Sequence, residues 1–443
     1  MLRTLFATLL VLISCAGISQ TSTLSPYSLF GLGDAPASSL SSQAGMGHTN
    51  LGVLSTTNIN FANPATQTFV NRPTFSFDLR NEFLSLNDGI RSQSNSLFAI
   101  DNLSFGFPLI NNFKKKRKAA LSFGLQPRTR QGYDVVTSQS LADIGNVDYY
   151  FYGSGGLNNV NLSAAFDLIA DSGRVHTLSI GVTASYVFGK LARNRATVVD
   201  SNAGASDIFR TEALELSDID YRLGLLYSQR LFFKKGTDDE KNGSISIGAY
   251  IKPQASLRTF SKSYAITFLG PYYDPYAIDT LDKSSGESTT ELPLSYGAGA
   301  SFRYASQWTF AVDFSSTAWS SLVVNGGTAG LNDETRFSAG VEYIPDYTAV
   351  KKVFKIIRYR TGFSFEQTRV NINGSQPTKL GIHGGFGIPI IASRSSSLLN
   401  FGTEYAIRGG SGLPLSERFW NIHIGMTITP NQFDRWFQKR KYD

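Results

Sequence analysis

The stretch Leu178-Ser179-Ile180-Gly181-Val182-Thr183-Ala184-Ser185-Tyr186-Val187-Phe188 places Leu, Ile, Val, Ala, Tyr and Phe at every second position, with Ser, Gly, Thr and Ser between the first five. A period of two sends alternate side chains to opposite faces, so the stretch reads as a β-strand with one greasy and one polar face. The pattern recurs on either side. Phe75, Phe77 and Leu79 alternate with Thr74, Ser76, Asp78 and Arg80, and similar runs follow around Leu103 to Leu109, Leu121 to Leu125 and Val160 to Leu168. Beyond the opening stretch lie Ile219 to Tyr227, Ile245 to Ile251, Tyr296 to Tyr304, Trp308 to Phe314 and Phe337 to Tyr343. Ile357 to Phe365, Leu380 to Ile390, Leu399 to Ile407 and Trp420 to Ile428 bring the candidate strands to fourteen.

The connections choose between a soluble sandwich and a transmembrane barrel. Those after odd-numbered strands are long and polar: Ser85 to Ser96, Arg128 to Val147, Leu191 to Leu216, Lys262 to Glu291 and Ser316 to Glu334. Those between are mostly short, such as Asp171 to Val175 and Ala305 to Gln307. Tight turns at one end and extended loops at the other mark outer-membrane barrels. In hydrocarbon, only closure leaves an antiparallel sheet without open edges. The expected fold is an all-β transmembrane antiparallel barrel over residues 73–429. An even strand number puts both of its ends, and both chain termini, on the short-turn, periplasmic side.

Composition agrees. Among 443 residues there are 41 Gly, 32 Phe and 20 Tyr, and charged residues make up 17%, below the roughly 25% of soluble domains. After the first twenty residues no apolar run approaches the roughly 18–20 residues of a membrane helix. Residues 1–19 read as a signal peptide: Arg3 precedes the apolar run Leu5 to Ile13, and Gly17 and Ser19 are small. Leu12-Ile13-Ser14-Cys15 also fits a lipoprotein processing site, so the only cysteine is either lipidated or removed, and no disulfide is expected.

If the apolar face meets lipid, the other face lines a lumen. Arg358, Arg360, Glu404, Arg408 and His423 fall there as a polar network, with Asp78, Arg80, Asp167, Arg222, Glu366 and His383. Many other luminal positions are Gly or Ser, which leaves room inside. Residues 20–72 are the natural filler, an N-terminal hatch, because Tyr27, Phe30, Leu32, Leu51, Val53, Phe61 and Phe69 are too apolar for a solvated tail. The C-terminal tail, 430–443, carries Trp436 and Phe437 beside Lys439, Arg440 and Lys441. It reads either as an anchor on anionic lipid or as a docking peptide for a periplasmic protein.

Gly45-Met46-Gly47, followed by Asn63-Pro64-Ala65 just before the first strand, resembles the hatch of the FadL family of outer-membrane channels. The resemblance implies a fourteen-stranded barrel with a luminal hatch, in a family that takes up long-chain fatty acids or aromatic hydrocarbons. Ser25-Pro26-Tyr27-Ser28-Leu29-Phe30-Gly31-Leu32-Gly33-Asp34 and the basic ending look like a narrower FadL-like branch. That branch is similar in shape to PorV, a partner and shuttle in type 9 secretion.

No catalytic chemistry and no cofactor are expected. The histidines His48, His176, His383 and His423 do not come at metal-ligand spacing, there is no C-x-x-C and no G-x-S-x-G, and no metal site is expected. Gly153 to Gly156 opens a strand and Gly384 to Gly387 lies inside one; neither precedes a helix, so neither reads as a phosphate loop. Lys114 to Lys118 reads as a solvated turn, and nucleic acid is not an expected partner. Tyr264, Phe268, Tyr272, Tyr273 and Tyr276 cluster in the loop Lys262 to Glu291, either as a site for an apolar solute or partner or as a packed lid. Two functions follow from these readings. One is a channel for passive uptake of hydrophobic ligands such as long-chain fatty acids; the other is a non-transporting subunit or shuttle of an outer-membrane secretion or assembly complex.

Overall fold

The computed structural model describes residues 23–36, 40–110, 117–141, 145–171, 174–199, 206–232, 242–346, 348–349, 352–390, 397–410 and 412–430. The signal peptide, most of the 114–118 basic run and the tail residues Trp436, Phe437, Lys439, Arg440 and Lys441 lie outside them.

The first seven strands are β1 (Thr74–Asn87), β2 (Ser92–Ile110), β3 (Ala119–Leu141), β4 (Gly145–Ala170), β5 (His176–Val199), β6 (Asp207–Phe232) and β7 (Asn242–Lys252). A hairpin, β8 (Ala255–Leu269) and β9 (Tyr276–Leu292), precedes β10 (Ser295–Tyr304) and β11 (Trp308–Thr317). Two short strands, β12 (Val323–Val324) and β13 (Gly327–Thr328), precede β14 (Glu334–Tyr343). β15 (Arg358–Gln367), β16 (Thr378–Ile390), β17 (Ser397–Gly409) and β18 (Ser416–Ile428) complete the chain. β7 pairs with β10, β11 with β14, and β18 with β1, so the ring closes with fourteen staves and leaves β8, β9, β12 and β13 outside it. Each of the fourteen runs read from the sequence is one stave. Among the described residues no helix is long and apolar enough to cross a membrane.

Burial is inverted relative to a water-soluble fold. On β5, Ile180, Val182 and Tyr186 are 40–46% exposed, while Ser179, Thr183 and Ser185 on the opposite face are at most 6% exposed. The apolar face is the outer wall, and the polar face is the interior.

Three segments read as loops are strands. Arg128 to Val147 and Leu191 to Leu216 are the upper halves of β3–β4 and β5–β6, and Lys262 to Glu291 is most of the β8–β9 hairpin. β4 and β6 each run 26 residues, more than twice the roughly 9–11 that cross a bilayer. They rise past the membrane as a tall wall, and β8 joins it by pairing with the upper part of β6. Gly153 to Gly156 lies inside β4 rather than at its start, and the Tyr133 ring lies over Gly153.

The described residues between 24 and 72 run inside the ring. The course starts at the long-loop end, where Thr23 Oγ1 donates to Glu82 Oε1 at 3.3 Å, Ser25 Oγ to Glu417 Oε1 at 2.7 Å and the Tyr27 hydroxyl to the Leu415 carbonyl at 2.6 Å. The chain ends themselves, expected on the short-turn side, lie outside the described residues. β1 begins and β18 finishes there, but the described chain enters the barrel from the opposite end.

Candidate functional site

The lumen is the candidate site, and its geometry starts from small residues on the barrel wall. Gly181, Gly248, Gly299, Gly340, Gly362, Gly385 and Gly402 all point inward, and a Cβ on any of them would run into the luminal segment or the neighbouring strand. Gly45 packs on Gly385, where an added Cβ would lie 3.1 Å from its Cα. Gly47 has φ +68°, and a Cβ there would lie 2.6 Å from the Phe363 carbonyl oxygen and 2.8 Å from that of Ala339. It therefore needs both the left-handed backbone and the empty space that glycine supplies.

Asn63-Pro64-Ala65 builds a turn. Asn63 caps the 3-10 turn Pro64–Phe69 by accepting from the Ala65 amide at 3.2 Å, and Pro64 stands where no amide donor is needed. The Asn63 side-chain amide donates to the Leu51 carbonyl at 2.8 Å and the Leu225 carbonyl at 3.1 Å. The motif thus ties two passes of the luminal segment to β6.

Two wall carboxylates hold the segment's backbone. Asp78 Oδ1 accepts from the Ser41 amide at 3.0 Å and its hydroxyl at 2.5 Å. Asp313 Oδ2 accepts from the amides of Asn50 at 2.6 Å and Leu51 at 2.9 Å.

The expected polar network divides into three. At the short-turn end, Arg358 and Arg360 both pair with Glu342, the latter at 2.8 Å. In the middle, Glu404 Oε1 meets Lys379 Nζ at 2.9 Å, and its Oε2 accepts from Asn421 at 3.1 Å and faces His48 Nε2 at 3.4 Å. His423 lies 3.8 Å from Asp101. At the loop end, Arg408 Nε donates to Glu417 Oε2 at 2.6 Å while its Nη groups meet Asp34 and Ser25.

Several participants were not singled out in the sequence. Asp313 sits at an inward position of an alternating run and was legible by parity alone. Asp101 owes its inward aim to a bulge in β2 that turns Asp101 and Asn102 to the same side, and the adjacent polar pair Asp101-Asn102 is the visible break in alternation. Ser25 and Asp34 were read only as the ends of the Ser25–Asp34 motif and His48 only as a histidine without metal-ligand spacing, none with a luminal partner. His48 has φ +64° and is buried. His48, His383 and Glu404 each offer a donor atom, and these atoms lie within 4.8 Å of one another. The histidines that no sequence spacing linked are joined by the fold.

The remaining space is small and charged. A cavity of about 280 Å³ is lined by Arg128, Asp220, Arg222, Lys252, Arg336 and Glu366 among others. A second, of about 80 Å³, adjoins Arg80, Asp101, Arg130, Glu404 and His423, and a third, of about 50 Å³, adjoins Arg303, Glu342, Arg358 and Arg360. Toward the loop end, Leu32 of the luminal segment packs with Leu157, Leu191, Leu216, Leu257, Leu292 and Leu322, all at most 2% exposed. Of the hairpin aromatics, Tyr264, Phe268, Tyr272 and Tyr273 are linked through ring contacts with Tyr152 and Phe209, with unequal exposure. Phe268 is 1% exposed and Tyr272 stacks on Tyr150 with ring centroids 4.0 Å apart, whereas Tyr264 is 39%, Tyr273 72% and Tyr276 76% exposed.

Among solved structures the fold resembles the Ralstonia pickettii toluene transporter TbuX, at 17% identity and TM-score 0.53 over 88% of this chain and 97% of that one. The Pseudomonas putida toluene transporter TodX gives 14% and 0.53 over 90% and 99%. A Pseudomonas aeruginosa FadL homologue gives 11% and 0.52 over 88% and 98%. At these identities the likeness establishes the FadL-type architecture. No curated protein matches. The BamG family profile matches residues 1–443, and with the whole chain covered, this protein belongs to the BamG family.

Proposed function

We propose that this chain is a sealed outer-membrane barrel acting as a non-transporting subunit of an outer-membrane assembly complex. The observation that carries the reading is the interior. A path for greasy solutes needs continuous apolar lining, whereas the luminal cavities are edged by Arg, Lys, Asp and Glu and the apolar layer above them is filled by the chain's own leucines. Membership of the BamG family points to barrel-assembly partners. A partner surface is on offer at the β8–β9 hairpin, where Tyr273, Tyr276, Ile278 and Leu281 are all more than half exposed. Large apolar side chains beyond the bilayer mark interaction sites.

A second reading, passive uptake of hydrophobic compounds, draws on the wall rather than the lumen. An apolar groove of about 520 Å³, lined by Ile245, Phe302, Phe310, Val341 and Phe363, opens on the outer face of β7, β10, β11, β14 and β15. Gentle detergent extraction followed by mass spectrometry of protein and lipid separates the two. Stoichiometric outer-membrane proteins are the expected result, and a lone barrel carrying fatty acid or aromatic hydrocarbon would overturn the subunit reading. In both readings residues 20–72 act as the hatch, the start of β1 and the end of β18 face the periplasm, and the 430–443 tail meets lipid or a periplasmic partner.

A further inference from the structure

Three of the chain's four histidines meet inside the barrel, although His48 lies more than 330 residues from each of the other two. His48 hangs from the luminal segment, His383 from β16 and His423 from β18. The His48 ring stands edge-on to the other two, with centroids 5.0 Å from His383 and 6.0 Å from His423. All three are at most 5% exposed, and Glu404 beside them is 3% exposed.

Hydrogen bonding fixes which atoms are free to bind. His383 Nδ1 lies 3.0 Å from the Ala44 carbonyl oxygen. That oxygen can only accept, so Nδ1 carries the proton and Nε2 keeps its lone pair, which meets the Ser364 hydroxyl at 2.8 Å. Metal-binding histidines are oriented in this way, with the far nitrogen donating to a backbone carbonyl. Glu404 is held by Lys379 and Asn421, and its Oε2 faces His48. His423 Nε2 is buried without a hydrogen-bond partner and is an open ligand nitrogen, whereas the equally unpartnered His48 Nδ1 lies on the far side of its ring from Nε2. Buried ring nitrogens without partners are costly unless something else binds them.

We propose that His48, His383 and Glu404 form a zinc-class metal site that bolts the luminal segment to β16 and β17, with His423 or a water at the fourth position. Two imidazoles and one carboxylate are a common zinc donor set. Tetrahedral zinc with bonds of about 2.0–2.2 Å holds its donors roughly 3.3–3.5 Å apart. The 3.4 Å between His48 Nε2 and Glu404 Oε2 already meets that spacing. His383 closes the remaining distance by exchanging the Ser364 hydroxyl for the metal. The adjoining cavity of about 80 Å³, which touches His48, Glu404 and His423, has room for a water ligand.

The test uses the full chain, purified through a streptavidin-binding tag so that no polyhistidine competes, stripped with a chelator and titrated with Zn²⁺ by calorimetry and with Co²⁺ by visible absorption. One equivalent per chain and a four-coordinate cobalt spectrum are expected. His48→Ala and Glu404→Gln should each weaken binding at least a hundredfold. His176→Ala, which removes the exposed histidine of β5, should leave it unchanged. Folding of each variant is verified by the resistance of the unboiled barrel to SDS. Because the luminal variants perturb packing, Ser364→Ala supplies an independent reading: freed of the hydroxyl, His383 Nε2 should bind several-fold tighter. Substoichiometric uptake, a six-coordinate cobalt spectrum, loss of binding with His176, or unchanged or weaker affinity in Ser364→Ala would overturn the site.

Discussion

At Gly47 the backbone takes a left-handed turn, and a Cβ there would lie within 3 Å of two wall carbonyls, so any side chain meets both strain and backbone that cannot yield. Gly47→Val should lower stability by about 1–3 kcal/mol, the range for overpacking a filled site. The check is the temperature at which the purified barrel loses its heat-modifiable mobility, with Gly286→Ala as a control because nothing lies within 4 Å of that position. Arg408 argues the same scale through charge. It serves Asp34, Glu417 and Ser25 together, and Glu417 is wholly enclosed. Arg408→Leu leaves that carboxylate unpaired and should cost about 3–5 kcal/mol; the same thermal measurement should find much of the loss recovered in the Arg408→Leu, Glu417→Leu double variant. Of the residues on which these arguments rest, Gly47 and Arg408 were legible beforehand, one from its motif and one from strand parity. Asp34 and Ser25 were not, because their roles depend on where the luminal segment is threaded.

At the scale of elements, alternation located every stave because lipid on one side and packed polar groups on the other impose a period of two. Above the bilayer that contrast fades. In β9 the residues Tyr276 to Glu287 are exposed on both faces, so Asp279, Asp282, Lys283, Ser284 and Ser285 are as acceptable as Tyr276 or Ile278. The backbone still pairs, and the hairpin exists although its sequence resembles a loop. What holds its tip is aromatic. Tyr272 stacks on Tyr150, its carbonyl accepts from the Tyr152 hydroxyl at 2.9 Å, and Phe268 and Phe209 meet edge to face behind it. Tyr272→Ala removes the stacking, a loss of about 0.5–1.5 kcal/mol beyond buried area. Protease cleavage between β8 and β9 on intact cells should then speed up several-fold, while cleavage elsewhere stays the same. An unchanged rate would mean that the strand pairing alone holds the tip.

For the whole molecule, barrel and luminal segment are one packed object. The wall gives up side chains at Gly181, Gly248, Gly340, Gly362, Gly385 and Gly402, and the segment fills the space with backbone and small residues. That vacancy was visible in the sequence as luminal glycines and serines, whereas the course of the filler was not, since residues 24–72 follow no period that a sheet or helix would impose. The packing carries a functional consequence. Asp78 and Asp313 grip the segment, and the cavities beside it measure about 280, 80 and 50 Å³, so the sealed-subunit reading predicts no open ion route through the intact chain. In planar bilayers the wild-type protein should hold a closed baseline. Deletion of residues 24–72 should expose a lumen lined by Asp78, Arg80, Asp167, Arg222 and Arg360 and give stable ohmic conductance. The paired change Asp78→Asn and Asp313→Asn, which keeps the filler and weakens its anchors, should give brief openings on an otherwise closed baseline. Steady conductance from the wild type would show that the segment leaves a pore, and the sealed-subunit reading would fall with it.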